Sequence, residues 1–314
     1  MMFPWQTSCE FGVVHPLAFL ACRNGEGPVI ETLTKIVEDT TFGAVEIAPP
    51  RNPAIRSAAR RLLAAGKLTV VYLPVLPILL EDLGLGNVDD ARRQFAMARL
   101  RVLLDEAVEF DAPLAMIMAP RDVPVPERPA ALARFREDVQ GLCDYADARS
   151  RHTRLHITLE NFDRDVEKKR LIGPSVEAAA FADTVDRANF GLTIDLSHLP
   201  MLKETPEQAL SAAGKHLIHA HIGNCVIDHP GSKLFGDFHP RFGHPEGVND
   251  LPQVTDFIIQ LTKVDYFARV RARLGMTPIV SMEIRQSDET SEVLLANGKR
   301  TFARAWADAQ QHNP

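Results

Sequence analysis

Eight short apolar runs, each followed by a polar loop and then a helical pattern, recur from one end of the chain to the other. They read as strands because Val, Ile, Leu and Thr dominate them and turn residues bound them. In order they are FGVVHPLAF, GAVEIAP, KLTVVYLP, PLAMIMAP, RLHITLE, FGLTID, HLIHAHI and PIVSME. Helical stretches such as ETLTKIVEDTTF, NPAIRSAARRLLAAG and DDARRQFAMARLRVLLDEAVEF separate them, and LPQVTDFIIQLTKVDYFARVRARL is one helix or two. Asn52 and Pro53 suit the N-cap and first helical position of the second stretch. Alternating strands and helices require parallel pairing through crossovers. With no break in composition, the expectation is one α/β domain over residues 1–314, a (β/α)8 barrel. A doubly wound open sheet is the runner-up, but no Gly-rich turn follows the first strand to support a dinucleotide site.

Four of these strands end on a potential metal ligand: Glu160, Asp195, His221 and Glu283. In a β/α barrel the carboxyl ends of the strands form the catalytic face. Side chains alternate along a strand, so Glu160 shares a face with Thr158 and His156, Asp195 with Thr193, His221 with His219, and Glu283 with Ser281. A polar upper layer inside a barrel is costly unless something binds there. One acid at a strand end is most simply a helix cap or a rim ion pair. Four ligand types at four strand ends favour a bound cation. Three carboxylates and an imidazole make a hard, oxygen-rich site suited to Mn²⁺ or Mg²⁺, with Co²⁺ accommodated and Zn²⁺ or Fe²⁺ less favoured.

Composition narrows the class. There are 35 basic and 41 acidic residues, a net charge of -6, which offers no basic field for nucleic acid. The four cysteines are scattered without a Cys-x-x-Cys pair, as expected of reduced thiols in a cytoplasmic protein. The segment MMFPWQTSCEFG lacks the basic start of a secretory signal, and LTVVYLPVLPILL is too short and Pro-interrupted to span a membrane. Two loops exceed what a connection needs: about Pro74 to Asp90 after strand three, and about Gly223 to Asp250 after strand seven. Both are expected on the catalytic face.

At LENFD through VSMEI the sequence resembles the xylose-isomerase-like TIM barrels, which include sugar-phosphate isomerases and epimerases, ketose 3-epimerases and apurinic-site endonucleases. The resemblance to ketose 3-epimerases implies Glu160, Asp195, His221 and Glu283 as metal ligands, with Glu160 and Glu283 doubling as the acid/base pair. It implies His198, in DLSH, as a ligand of a substrate oxygen, and RFGHPEGVND as a substrate loop with Arg241 as a contact. GDFHPRFG resembles the Asp-x-His element of the endonucleases, giving Asp237 and His239. VEIAP, VVYLP and MIMAP nevertheless lack the histidines that branch needs, so the endonuclease function is set aside. DRDVEKKRLIGP, DLSHLP and HIGNCV with GDFHPRFG look more like metal-binding subunits of C-glycoside deglycosylating enzymes. That likeness implies elimination of an aglycone from a 3-keto-sugar. Val75, Leu76, Ile78, Leu79 and Leu80 would then face an aglycone or a small partner subunit; packing over the barrel rim is the equal alternative.

Both readings share proton removal beside a sugar carbonyl, by Lewis-acid polarisation with a general base. Glu160 or Glu283 is the preferred base, and His198 or His239 the alternative, since an imidazole titrates near neutrality. His15, Glu46 and Arg285 are further candidate substrate contacts, with rim pairing or support of a ligand as the competing reading for the last two. His156 and His219 lie deeper and read as satisfied core histidines. Lys168, Lys169 and Arg170 read as a solvated basic loop. The expected partner is a small sugar or glycoside, without a phosphate cradle, bound by a homo-oligomer with or without a small partner subunit. A sugar-binding barrel without catalysis is the alternative class.

Overall fold

Each of the eight apolar runs forms a strand of one closed parallel barrel in a computed structural model, which describes residues 4–311. The strands are β1 (Glu10–Val14), β2 (Ala44–Ile47), β3 (Thr69–Tyr72), β4 (Leu114–Met118), β5 (His156–Glu160), β6 (Phe190–Asp195), β7 (Leu217–Gly223) and β8 (Ile279–Glu283). They follow one another around the barrel in chain order, and β1 closes on β8 with Gly12 opposite Ser281. The chain is therefore a (β/α)8 TIM barrel rather than an open sheet.

Helices cover the outside of the sheet, so the strands are buried on both faces. Leu33, Ile36, Leu63, Leu100, Leu104 and Phe135 are fully buried in this outer layer. Asn52 caps helix Pro53–Gly66, its side chain accepting from the Ala54 and Ile55 amides. Strand one is shorter than its apolar run: Pro16 occupies a new helical turn, His15–Ala18, and cannot donate to a sheet. The long stretch before β8 is two helices, Leu251–Lys263 and Tyr266–Leu274, parted at Asp265, whose φ of 54° lies in the left-handed region. Among the described residues no helix is long and apolar enough to cross a membrane.

Inside, the upper layer is polar, as strand parity indicates. The Thr158 and Thr193 hydroxyls bond each other at 2.7 Å across β5 and β6. The two long loops lie above them. The loop after β3 is not structureless, since Val75–Leu80 is helical. The loop after β7 is irregular and pinned by two asparagines. Asn224 Oδ1 accepts from the Cys225 and Asn249 amides, and Asn249 Nδ2 donates to Leu196 and Gly223 carbonyls.

Candidate metal centre

Four strand ends converge. Glu160, Asp195, His221 and Glu283 each offer a donor atom, and the four atoms lie within 4.8 Å of one another. Neighbouring register explains how: Asp195 sits opposite His221 between β6 and β7, and Glu283 opposite Gly223 between β7 and β8. His221 Nδ1 is 2.6 Å from Glu283 Oε2 and 3.4 Å from Glu160 Oε1. Yet His221 Nδ1 and Glu160 Oε1 are buried without a hydrogen bond of good geometry. Buried polar atoms are rarely left so. Together with the hard donor set, these orphaned atoms fit a divalent cation.

Asp195 is fixed from behind by Ser197, whose amide donates at 2.8 Å and whose hydroxyl donates at 2.6 Å. His221 is fixed by Glu46, reached by Nε2 at 3.0 Å. Glu46 also meets His219 Nε2 at 2.8 Å. A carboxylate behind a ligating imidazole sets its tautomer and its orientation. Glu46 is fully buried and does not line the cavity; it supports His221 instead of meeting substrate.

Beside this centre lies a second polar group. Asp237 Oδ1 is 2.9 Å from His239 Nε2 and 3.2 Å from His198 Nε2, and Asp237 Oδ2 is 3.2 Å from Lys168 Nζ. His198 is held by the Asn161 carbonyl through Nδ1, at 2.9 Å, and its ring packs on Phe162. His239 has a φ of 51°, left-handed for a residue with a Cβ. Its carbonyl accepts from the Arg285 amide at 2.6 Å, which anchors that conformation. Gly223 permits the approach: a Cβ there would fall 2.8 Å from the Glu283 carbonyl oxygen and 3.0 Å from His239 Nδ1.

Lys168 is not a solvated residue. Its loop folds over Asp163, whose carboxylate accepts the amides of Val166, Glu167 and Lys168. The turn brings Lys168 Nζ to 2.7 Å from Glu167 Oε1 and into the cavity wall. Glu167 in turn accepts the Asp237 amide. Arg170 is buried as well.

Charges in the site act on one another strongly. Burial, and then the neighbouring Glu283 charge, push the Glu160 carboxyl up to about 7. Burial acts on Glu283 in the same direction, but the His239 and His221 charges outweigh it and hold Glu283 below the ordinary range. His239 is raised to about 9: burial opposes this, and the Asp237 and Glu283 charges prevail. For His221 burial is again opposed, chiefly by Glu46 and then Glu283, and its pKa is raised well above the usual value.

Over the centre opens a cavity of about 320 Å³. Its polar floor includes Glu160, His221, Asp237, His239 and Glu283, with Lys168 at the side. The rest of its lining is largely apolar, with Val75, Leu76, Leu79, Met116, Met118 and Phe162. Arg23 and Arg285 also face it. Three residues expected at the substrate, His15, Arg241 and His198, do not line the cavity. His15 is buried against Thr32 at 2.8 Å and packs on Phe19, because the chain turns away after Val14. Arg241 bonds Glu289 at 2.5 Å, outside the cavity. His198 too lies behind the wall, 1% exposed, where it touches Asp237 but no open space. Lys168, Phe238 and Arg23 were missed in the sequence. Phe238 follows Asp237 in GDFHPRFG, so only its neighbours drew notice.

Comparison with known proteins agrees with this architecture. The family described as xylose isomerase-like TIM barrel matches residues 35–266. A D-tagatose 3-epimerase-like protein superposes with a TM-score of 0.72 at 16% identity, covering 97% of this chain and 100% of that one. D-psicose 3-epimerase from Clostridium cellulolyticum H10 gives 0.65 at 16% identity, covering 96% and 98%. The 3-keto-D-glucoside 4-epimerase YcjR from E. coli gives 0.65 at 13% identity, covering 96% and 99%. No curated protein matches the sequence significantly. The closed barrel and the matched span lead to one conclusion: the chain belongs to the xylose isomerase-like TIM barrel family.

Proposed function

We propose that this chain is a divalent-metal-dependent enzyme that removes the proton beside the carbonyl of a keto-sugar, as sugar isomerases and epimerases do. The observation that carries the reading is the convergence of four donor atoms, from β5, β6, β7 and β8, within 4.8 Å at the floor of a sugar-sized cavity. Glu160, Asp195, His221 and Glu283 would hold the ion, Mn²⁺ or Mg²⁺ by donor chemistry and Co²⁺ as a substitute. Such an ion supplies Lewis-acid polarisation of a carbonyl and charge stabilisation during enolisation. The chain's own groups move the proton. Glu283, 14% exposed at the side chain against 3% for Glu160, is the carboxylate more open to the cavity and is the preferred base. It takes the proton, and the C–H electron pair becomes the C=C bond of the enolate. Glu160, on β5, would return a proton to the other face of the enolate. His239, open to the cavity and with Nε2 2.9 Å from Asp237 Oδ1, is the alternative base.

A second reading is favoured by the apolar wall. Val75, Leu76, Leu79, Met116, Met118 and Phe162 offer a hexose few hydrogen-bond partners, but they suit an aromatic group. In a 3-keto-glycoside lyase the same enolate expels its β substituent, and the electron pair leaves with the aglycone.

The named neighbours supply test compounds: D-fructose, D-tagatose and a 3-keto-D-glucoside. Incubation of Mn²⁺-loaded protein with each in D₂O, followed by mass spectrometry, is expected to place deuterium on the carbon beside a carbonyl. Release of the aglycone from the 3-keto-glycoside selects the lyase. Neither incorporation nor release with any compound defeats both readings.

A further inference from the structure

Resting on the keto-sugar reading above, we infer that the substrate carries an oxyanion, a carboxylate or a phosphate, away from its reacting carbonyl, and that Arg23 and Arg285 bind it. Two guanidinium groups face the same cavity. Among the described residues neither has a carboxylate within ion-pair distance, whereas arginines such as Arg56, Arg93 and Arg164 do. Arg23 Nε is buried and has no hydrogen-bond partner. The charges that act on Arg285 are those of Arg23, of like sign, and of Glu167, of opposite sign, so the two guanidinium groups lie near each other.

Such an arrangement is costly in the absence of an anion. With one it is favourable, because a guanidinium presents a planar fork matched to carboxylate or phosphate oxygens. Arg285 is already oriented: its guanidinium lies 4.2 Å from the Phe238 ring centroid, and its amide is tied to the His239 carbonyl. Arg23 and Leu76 also line a small neighbouring cavity together, which puts Arg23 towards the apolar lining. A substrate whose far end is both apolar and acidic satisfies this wall.

The test is calorimetric binding to Mg²⁺-loaded protein of benzoate and phenyl phosphate against neutral benzamide, so no turnover is required. At least one anion is expected to bind roughly tenfold or more tightly than benzamide. Arg23→Gln and Arg285→Gln should each remove that advantage and leave benzamide binding unchanged, while Arg23→Lys restores part of it. Preference between the two anions identifies carboxylate or phosphate as the partner. Equal binding of anions and benzamide, or an anion preference that survives both glutamine variants in folded protein, overturns the assignment. Since deuterium incorporation from D-fructose or D-tagatose is read separately, failure of the enolisation reading and failure of this one are distinct results.

Discussion

His221 meets Glu46 through one ring nitrogen and faces Glu160 and Glu283 through the other. If His221 holds the proposed cation, its orientation depends on Glu46, which does not line the cavity. Replacing Glu46 with Gln keeps the shape and removes the charge; Mn²⁺ affinity is expected to fall roughly 10- to 100-fold, measured by calorimetric titration. An unchanged affinity would remove Glu46 from the account. The same residues set a pH dependence. Glu160 rises on folding from an ordinary 4.5 to about 7, and His239 from 6.5 to about 9. A group raised on folding contributes stability below its unfolded value and loses it as pH rises through its folded value. Metal-free protein should thus lose stability between about pH 5 and about pH 9. Because a cation held by Glu160 needs that carboxyl deprotonated, its effect on melting temperature should grow from about pH 5.5 to about pH 8. A Mn²⁺-induced shift that is flat or shrinks over that range contradicts the assignment. Residue by residue, the four converging candidate ligands were legible because each ends an apolar run. The partnership of Glu46 with His219 and His221 was not, because it joins β2 to β7 across the barrel interior, where no spacing in the chain records it.

At the scale of elements, the loop after β5 acts as a strap. Asp163 gathers three amides, Glu167 accepts the Asp237 amide, and Lys168 faces the Asp237 carboxylate. Gly236 lets this contact form: its φ is 89°, and a Cβ would lie 2.5 Å from Glu167 Oε2. Asp163→Ala leaves three amides without their acceptor and should cost about 1–3 kcal/mol in urea unfolding. Hydrogen exchange should quicken in residues 164–170 and, through Glu167 and Lys168, around Asp237. Unchanged exchange near Asp237 would mean the two loops are independent. This strap was hidden in the sequence. Lys168, Lys169 and Arg170 resemble any solvated basic run, and the acid opposite Lys168 lies on the loop after another strand. Helix Val75–Leu80 was hidden for a different reason: Pro74 and Pro77 mark breaks, yet Pro77 sits in a helix short enough to tolerate it.

For the whole molecule, the barrel was the most legible feature, since strand–helix alternation determines it before any side chain is considered. Its closure brings distant strand ends to one face, and a cation there would tie β5, β6, β7 and β8 together. A ligand that binds only the folded chain stabilises it by mass action, about 2.7 kcal/mol at 100 times its Kd. Saturating Mn²⁺ should raise the unfolding midpoint of metal-stripped protein accordingly, and Ca²⁺ less, because a compact four-donor site suits the smaller ion. Equal stabilisation by both would indicate loose surface binding instead.

The central claim is most directly tested by titrating metal-stripped protein with Mn²⁺ alongside the variants Glu160→Gln, Asp195→Asn, His221→Gln and Glu283→Gln. The expected result is one tightly held ion per chain, with affinity lower by roughly 10- to 100-fold or more in each variant. Wild-type titration curves in the variants, or no ion taken up by the native chain, would contradict it.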